Sequence, residues 1–192
     1  MALLLVYAFF FPKQFLSTME QPDYYLHAKF THILCVTLFF ANVVIGTLWE
    51  TRSLLSGKAE VIRFTYETVT WLDAAFTAPL ILLSMISGIM LGTILGGVWT
   101  IGWLSIAFTL FMACGIFWLV ADIPTQYRVN LLFREVAPGA RSLPAPLTRL
   151  LWLRMGINLA SIAPLLFIFY LMIHKPELPK ISTLLQAILL RG

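Results

Sequence analysis

Charge is scarce in this 192-residue chain: Asp, Glu, Lys and Arg make up 11% of it, against roughly 25% in a typical soluble domain. The scarcity has a focus, because Ala74 to Ala121 run 48 positions without one Asp, Glu, Lys, Arg or His. That excludes a water-facing surface along the run. Cysteine is nearly absent too, and Cys35 and Cys114 show neither a CxxC pair nor Cys/His ligand spacing. This excludes a disulfide framework and a zinc site, and leaves two buried free thiols. There is no HExxH, no serine with a histidine and an acid nearby, and no pair of carboxylates inside one apolar segment, so hydrolytic chemistry has no carrier. Gly92, Gly96 and Gly97 lie between two apolar runs and do not form a phosphate-binding pattern. The net charge of +4 sits at the ends of apolar runs and not on a face of its own, which excludes nucleic acid as a partner.

What is present is hydrocarbon: 60% of residues are hydrophobic, and the mean hydropathy is +0.89. A membrane-spanning helix takes about 20 apolar residues. Four stretches satisfy this, at about 25–49, 70–95, 99–120 and 151–173. The predicted fold is an all-α membrane protein, an antiparallel bundle of four transmembrane helices over residues 25–176. Residues 1–24 form a short N-terminal interfacial segment, since the wholly apolar Met1–Phe11 is too short to cross and shows no small-residue cleavage site; a truncated fifth helix is the competing reading. Residues 177–192 form a C-terminal tail along the membrane. Pro79 and Pro164 are expected to kink the second and fourth crossings, and the proline-containing stretch Ile123–Thr148 reads as a solvated, partly irregular loop. Eight Lys and Arg residues fall on the side of the odd-numbered connections and five on the side of the termini. Both termini are therefore expected outside the cytoplasm of a plasma (inner) membrane.

With so few polar groups, any chemistry rests on those inside the apolar runs. On the first crossing Lys29, His32, Cys35, Phe39, Asn42 and Gly46 recur at spacings of three and four, a stripe that faces other helices. Leu34, Val36, Leu38, Val43 and Val44 fall largely elsewhere. His174, at the end of the fourth crossing, reaches the same membrane face as His27 and His32 in an antiparallel bundle. Imidazoles on facing helices are a common way for a bundle to hold a haem iron or another transition metal. His27 and His32 stand five residues apart, roughly 140° around a helix, so His32 with His174 is the easier ligand pair. At the opposite face, Glu50, Glu67, Asp73 and Asp122 are expected to pair with Arg52, Arg63, Arg149 and Arg154 at headgroup level. Asp73 and Arg154 stand out there, each beside a long apolar run, and Arg154 shares a stripe with Asn158 and Ser161.

The segment Lys29-Phe30-Thr31-His32-Ile33-Leu34, the Pro79-Leu-Ile-Leu before Ser87-Gly88, and Arg154 with Asn158 leading to Lys175-Pro176 resemble the HemJ-type protoporphyrinogen oxidases. They are more similar still to an uncharacterised membrane family related to these and to the copper resistance D proteins. The resemblance implies that His32 is a haem ligand. It departs at Gly102-Trp103-Leu104-Ser105-Ile106, where the enzymes carry a second basic residue, and this argues against protoporphyrinogen oxidation. The expectation is a b-type haem (haem b) protein for redox or electron transfer, with His32 and His174 as iron ligands and Lys29 meeting a propionate. The alternatives are copper-like ion or small-solute transport, for which Met85, Met90, Met112 and Met172 supply soft donors, and a cofactor-free accessory subunit packed through Gly88 and Gly92. The expected partners are the lipid bilayer and other membrane subunits or a second copy of the chain.

Overall fold

The computed structural model describes residues 22–137 and 142–190, together with 11, 13, 14, 17 and 140. The expectation for residues 1–10, and for most of the segment up to residue 21, lies outside the described residues. No strand occurs among the described residues, and four helices are long and apolar enough to cross a membrane: Asp23–Ser56, Ala59–Ile94, Gly102–Arg134 and Ala145–His174. In detail these are α1 (Pro22–Ser56); α2 (Ala59–Leu72) joined to α3 (Ala78–Ile94) by a π-helical turn, Asp73–Thr77; α4 (Gly102–Phe117) joined to α5 (Ile123–Arg134) by a second π-helical turn, Trp118–Asp122; and α6 (Ala145–His174). A short α7 (Ile181–Leu189) follows.

The helices outrun the apolar stretches. The expected loop at Ile123–Thr148 is helical to Arg134, because Pro124 falls in the first turn of α5, where a missing N–H costs no helical bond. Both π turns lie just before such a proline: Asp73–Thr77 precedes Pro79, and Trp118–Asp122 precedes Pro124. Proline clashes with the carbonyl four residues back, and a wider turn at that point lets the helix continue. The carboxylates Asp73 and Asp122 fall in the two turns, at either end of the uncharged run 74–121.

The chain forms two compact units. The first gathers residues 1–39, 79–109 and 170–192. Here Gly96 and Gly97, at φ +88° and +112°, turn the chain between α3 and α4, with Gly97 N–H donating to the Gly92 carbonyl at 2.8 Å. Gly92 has no room for a side chain, since a Cβ would come within 2.6 Å of Val98. Trp103 is buried and lies beneath the Lys175 ammonium, 5.9 Å from the ring centre. The Ser105 hydroxyl accepts the Ile181 N–H at 3.1 Å, which anchors the start of α7. The Leu178 carbonyl rests on Gly102, where a Cβ would overlap it. Gly102→Ala is therefore expected to destabilise the protein by about 1–3 kcal/mol, while Gly115→Ala, which meets nothing within 4 Å, leaves the midpoint of thermal unfolding in detergent unchanged.

The second unit gathers residues 40–78 and 110–169. Its core joins Leu54 of α1, Ile62 and Tyr66 of α2, Val129 and Phe133 of α5, and Leu147, Leu151 and Met155 of α6. Phe40 and Phe169 meet with ring centres 5.0 Å apart. Along α1, Cys35, Phe39, Thr47 and Glu50 are buried, while Ile33, Leu34, Leu38, Ile45 and Leu48 are exposed. Of the expected helix-facing stripe, Cys35 and Phe39 are buried and His32, Asn42 and Gly46 half-buried, but Lys29 is exposed; of the expected lipid-facing residues, Leu34 and Leu38 are exposed and Val36, Val43 and Val44 half-buried.

Candidate functional site

His32 follows from its place on the α1 stripe. Its ring faces α3, with Nδ1 2.8 Å from the Ser84 carbonyl oxygen and 3.3 Å from the Ser87 hydroxyl. A carbonyl only accepts, so Nδ1 carries the proton and Nε2 presents a lone pair. The Ser87 hydroxyl already donates to the Leu83 carbonyl at 2.6 Å, which leaves its oxygen as a second acceptor for the Nδ1 proton. Gly88 makes the approach possible, because a Cβ there would come within 2.9 Å of His32 Cε1. Among the described residues none hydrogen-bonds Nε2. Gly88 and Gly92 thus serve contacts inside this unit, to His32 and to Val98.

The other sequence candidates have different surroundings. His174 is exposed and lies against Tyr170, ring centres 4.4 Å apart. Lys29 is exposed, its ammonium 5.7 Å from the Tyr25 ring. His27 is exposed as well. The contacts of His32 and His174 are to different residues. Among the described residues no group of three or more His, Cys, Asp or Glu side chains is placed to hold a metal ion.

The second unit holds a polar cluster. Glu50 is fully buried, Arg154 is 1% exposed and Asp122 5% exposed. Arg154 Nη2 lies 3.2 Å from Asp122 Oδ1, close enough for attraction but off the hydrogen-bond axis, so that Oδ1 and the Arg154 Nε make no hydrogen bond. Arg154 Nη1 donates to the Asp122 carbonyl at 2.9 Å and to the Thr125 hydroxyl at 3.0 Å. Asn158 donates to Glu50 Oε2 at 2.9 Å. Asp73 accepts from Thr77 and from Gln126, both at 3.3 Å, and Asn42 donates to Thr77 at 2.7 Å.

The headgroup pairing expected for these charges is corrected on two counts. Among the described residues one ion pair forms, Arg154 with Asp122. Arg63 donates instead to the Phe133 carbonyl and to the Val136 carbonyl at 3.2 Å, and it stacks on the Phe133 ring. Arg52, Glu67 and Arg149 are exposed. Glu50 is buried because the α1 stripe does not end at Gly46: four residues on, one helical turn, Glu50 continues it. That spacing was available to find Glu50. No sequence signal marks Gln126, which reaches Asp73 only because α5 continues the third crossing.

The family match agrees with this architecture. The model of the family described as "Predicted integral membrane protein (DUF2269)" matches residues 26–176. The chain belongs to this family. It is an integral membrane protein, crossing the membrane through the four apolar helices. No curated protein and no solved structure matches it.

Proposed function

We propose that the protein is a b-type haem protein of the plasma membrane that passes single electrons, with His32 as an axial ligand. The observation that supports this most is the seat of His32. Its Nδ1–H is held by the Ser84 carbonyl, its ring lies close against Gly88, and among the described residues its Nε2 has no hydrogen-bond partner. Ligating histidines are usually oriented in this way, the far nitrogen bound to a carbonyl so that tautomer and ring direction are set before the metal binds. His32 would hold the iron through Nε2, His174 would supply a second imidazole, and the Lys29 ammonium would pair with a propionate. When bound, the haem iron supplies one-electron exchange, and the protein tunes it through ligand identity and burial. The likeness of Lys29–Leu34 to the HemJ-type enzymes points to the same ligand. The lack of a second basic residue in Gly102–Ile106 keeps protoporphyrinogen oxidation out of the proposal.

In this reading both termini lie outside the cytoplasm, and lipid covers the exposed apolar side chains. Redox partners are other membrane subunits or a second copy of the chain. The test is the absorption spectrum of full-length protein purified from haem-replete cells, with and without dithionite. A Soret band and a reduced α band are expected in the wild type and not in His32→Ala. In His174→Ala the reduced α band is expected to shift while the Soret band remains. Colourless wild-type protein would sink the reading.

A further inference from the structure

The polar cluster of the second unit has no part in the haem proposal. Its charge does not balance: the electrostatic neighbours of Glu50 are Arg154, Asp73 and Asp122. Three carboxylates thus share one guanidinium. The other charged side chains of this unit's helices do not relieve this, because Arg52, Glu60, Glu67, Arg128, Arg134 and Arg149 are exposed and Arg63 is bound to carbonyls in α5 and the turn after it. Within apolar helices an uncompensated carboxylate is costly, and it resolves by taking up a proton or a cation.

Unused hydrogen-bonding capacity lies alongside that charge. Glu50 Oε1, the Tyr66 hydroxyl and Thr70 Oγ1 are all buried without a hydrogen-bond partner. Tyr66 is 1% exposed and feels the charges of Glu50, Arg154 and Asp122. Tyr66, Thr70 and Asp73 are spaced by four and then three residues, so hydroxyl, hydroxyl and carboxylate lie along one face. Buried polar atoms without partners are uncommon in folded proteins, and here Glu50 Oε1 and the Tyr66 hydroxyl occur where negative charge is in excess.

The three carboxylates are not equivalent. Asp122 has the guanidinium, and Asp73 accepts a hydrogen bond at each oxygen. Glu50 has one oxygen held by Asn158 and the other bare. We propose that this cluster is a proton-exchange site within the membrane helices, with Glu50 the group that gains and loses the proton and Tyr66 the hydroxyl beside it. Protonation at Oε1 converts the bare acceptor into a donor and lowers the excess charge by one. Arg154 and Asn158 hold the remaining groups in place.

The test is infrared spectroscopy of the full-length protein in nanodiscs at neutral pH, where exposed carboxylates are ionised. A protonated-carboxyl C=O band is expected in the wild type. It should vanish reversibly at alkaline pH, shift when glutamate but not aspartate is labelled with 13C at the side-chain carboxyl, and be lost in Glu50→Gln while persisting in Glu67→Gln. The isotope label needs no substitution, so the test holds even where Glu50→Gln does not fold. A wild type without the band, a band that shifts with labelled aspartate, or one that survives in Glu50→Gln would overturn the proposal. So would its removal at fixed pH by sodium, potassium or calcium, which would make the site one for a metal cation. Failure of the haem spectrum leaves this result untouched, since the two tests read different residues.

Discussion

Arg154→Leu is expected to lower stability by about 3–5 kcal/mol, the cost of removing one partner of a buried ion pair. At the size of this chain that corresponds to a fall of about 10 °C in the unfolding midpoint in detergent. The guanidinium is 1% exposed and faces Asp122 at 3.2 Å, while donating to the Asp122 carbonyl and to Thr125. Without it, Glu50, Asp73 and Asp122 are left with no cation among them, and the Asp122 carbonyl keeps only the Thr125 hydroxyl as a side-chain donor. Arg154→Lys is expected to recover only part of the loss, because an ammonium cannot reproduce the fork that contacts carboxylate, carbonyl and hydroxyl together. A midpoint for Arg154→Leu within about 2 °C of the wild type would show that the pair contributes nothing to the fold.

Phe133→Ala should cost a similar amount, about 3–5 kcal/mol for truncating a buried aromatic. Phe133 is 4% exposed in the core of the second unit. Its ring meets Tyr66 at 6.2 Å and carries the Arg63 guanidinium on its face at 5.7 Å. The truncation leaves a cavity and unseats Arg63, so Phe133→Leu, which keeps volume but not the ring face, is expected to fall between wild type and Phe133→Ala. Thermal unfolding of the three proteins side by side checks this. Equal midpoints for Phe133→Leu and Phe133→Ala would mean that cavity volume contributes nothing and the ring face everything.

Much of the architecture was legible in the amino-acid order because a bilayer simplifies the question. Backbone groups in hydrocarbon must bond within their own segment, so an apolar run of sufficient length is a helix. The four crossings and the glycine turn after α3 followed from that rule. So did most of the inward stripe, from His32 through Cys35, Phe39 and Asn42 to Gly46, because a helix repeats every 3.6 residues, although Lys29 at its start is exposed. The rule fails where charge returns to the sequence. Residues 59–69 and 123–134 carry enough polar side chains to end an apolar run, yet they remain helical because their buried faces pack on one another through Ile62, Tyr66, Val129 and Phe133.

The candidate sites divide in the same way. That His32 turns inward could be read from spacing alone. That its Nδ1 meets Ser84 and its ring meets Gly88 depends on the register between α1 and α3, which no local pattern encodes. For Glu50 the spacing was present, but its position beside other charges invited a surface reading. Composition and helical period determined that this chain lives in lipid and which face of α1 looks inward, because both depend on neighbours along the chain. Which carboxylate receives the lone guanidinium, and which keeps an oxygen with neither a hydrogen bond nor a cation beside it, only the tertiary structure decided. Residues 50, 66, 122 and 154 become neighbours only when separate helices pack, and the strength of a buried charge depends on what surrounds it in space.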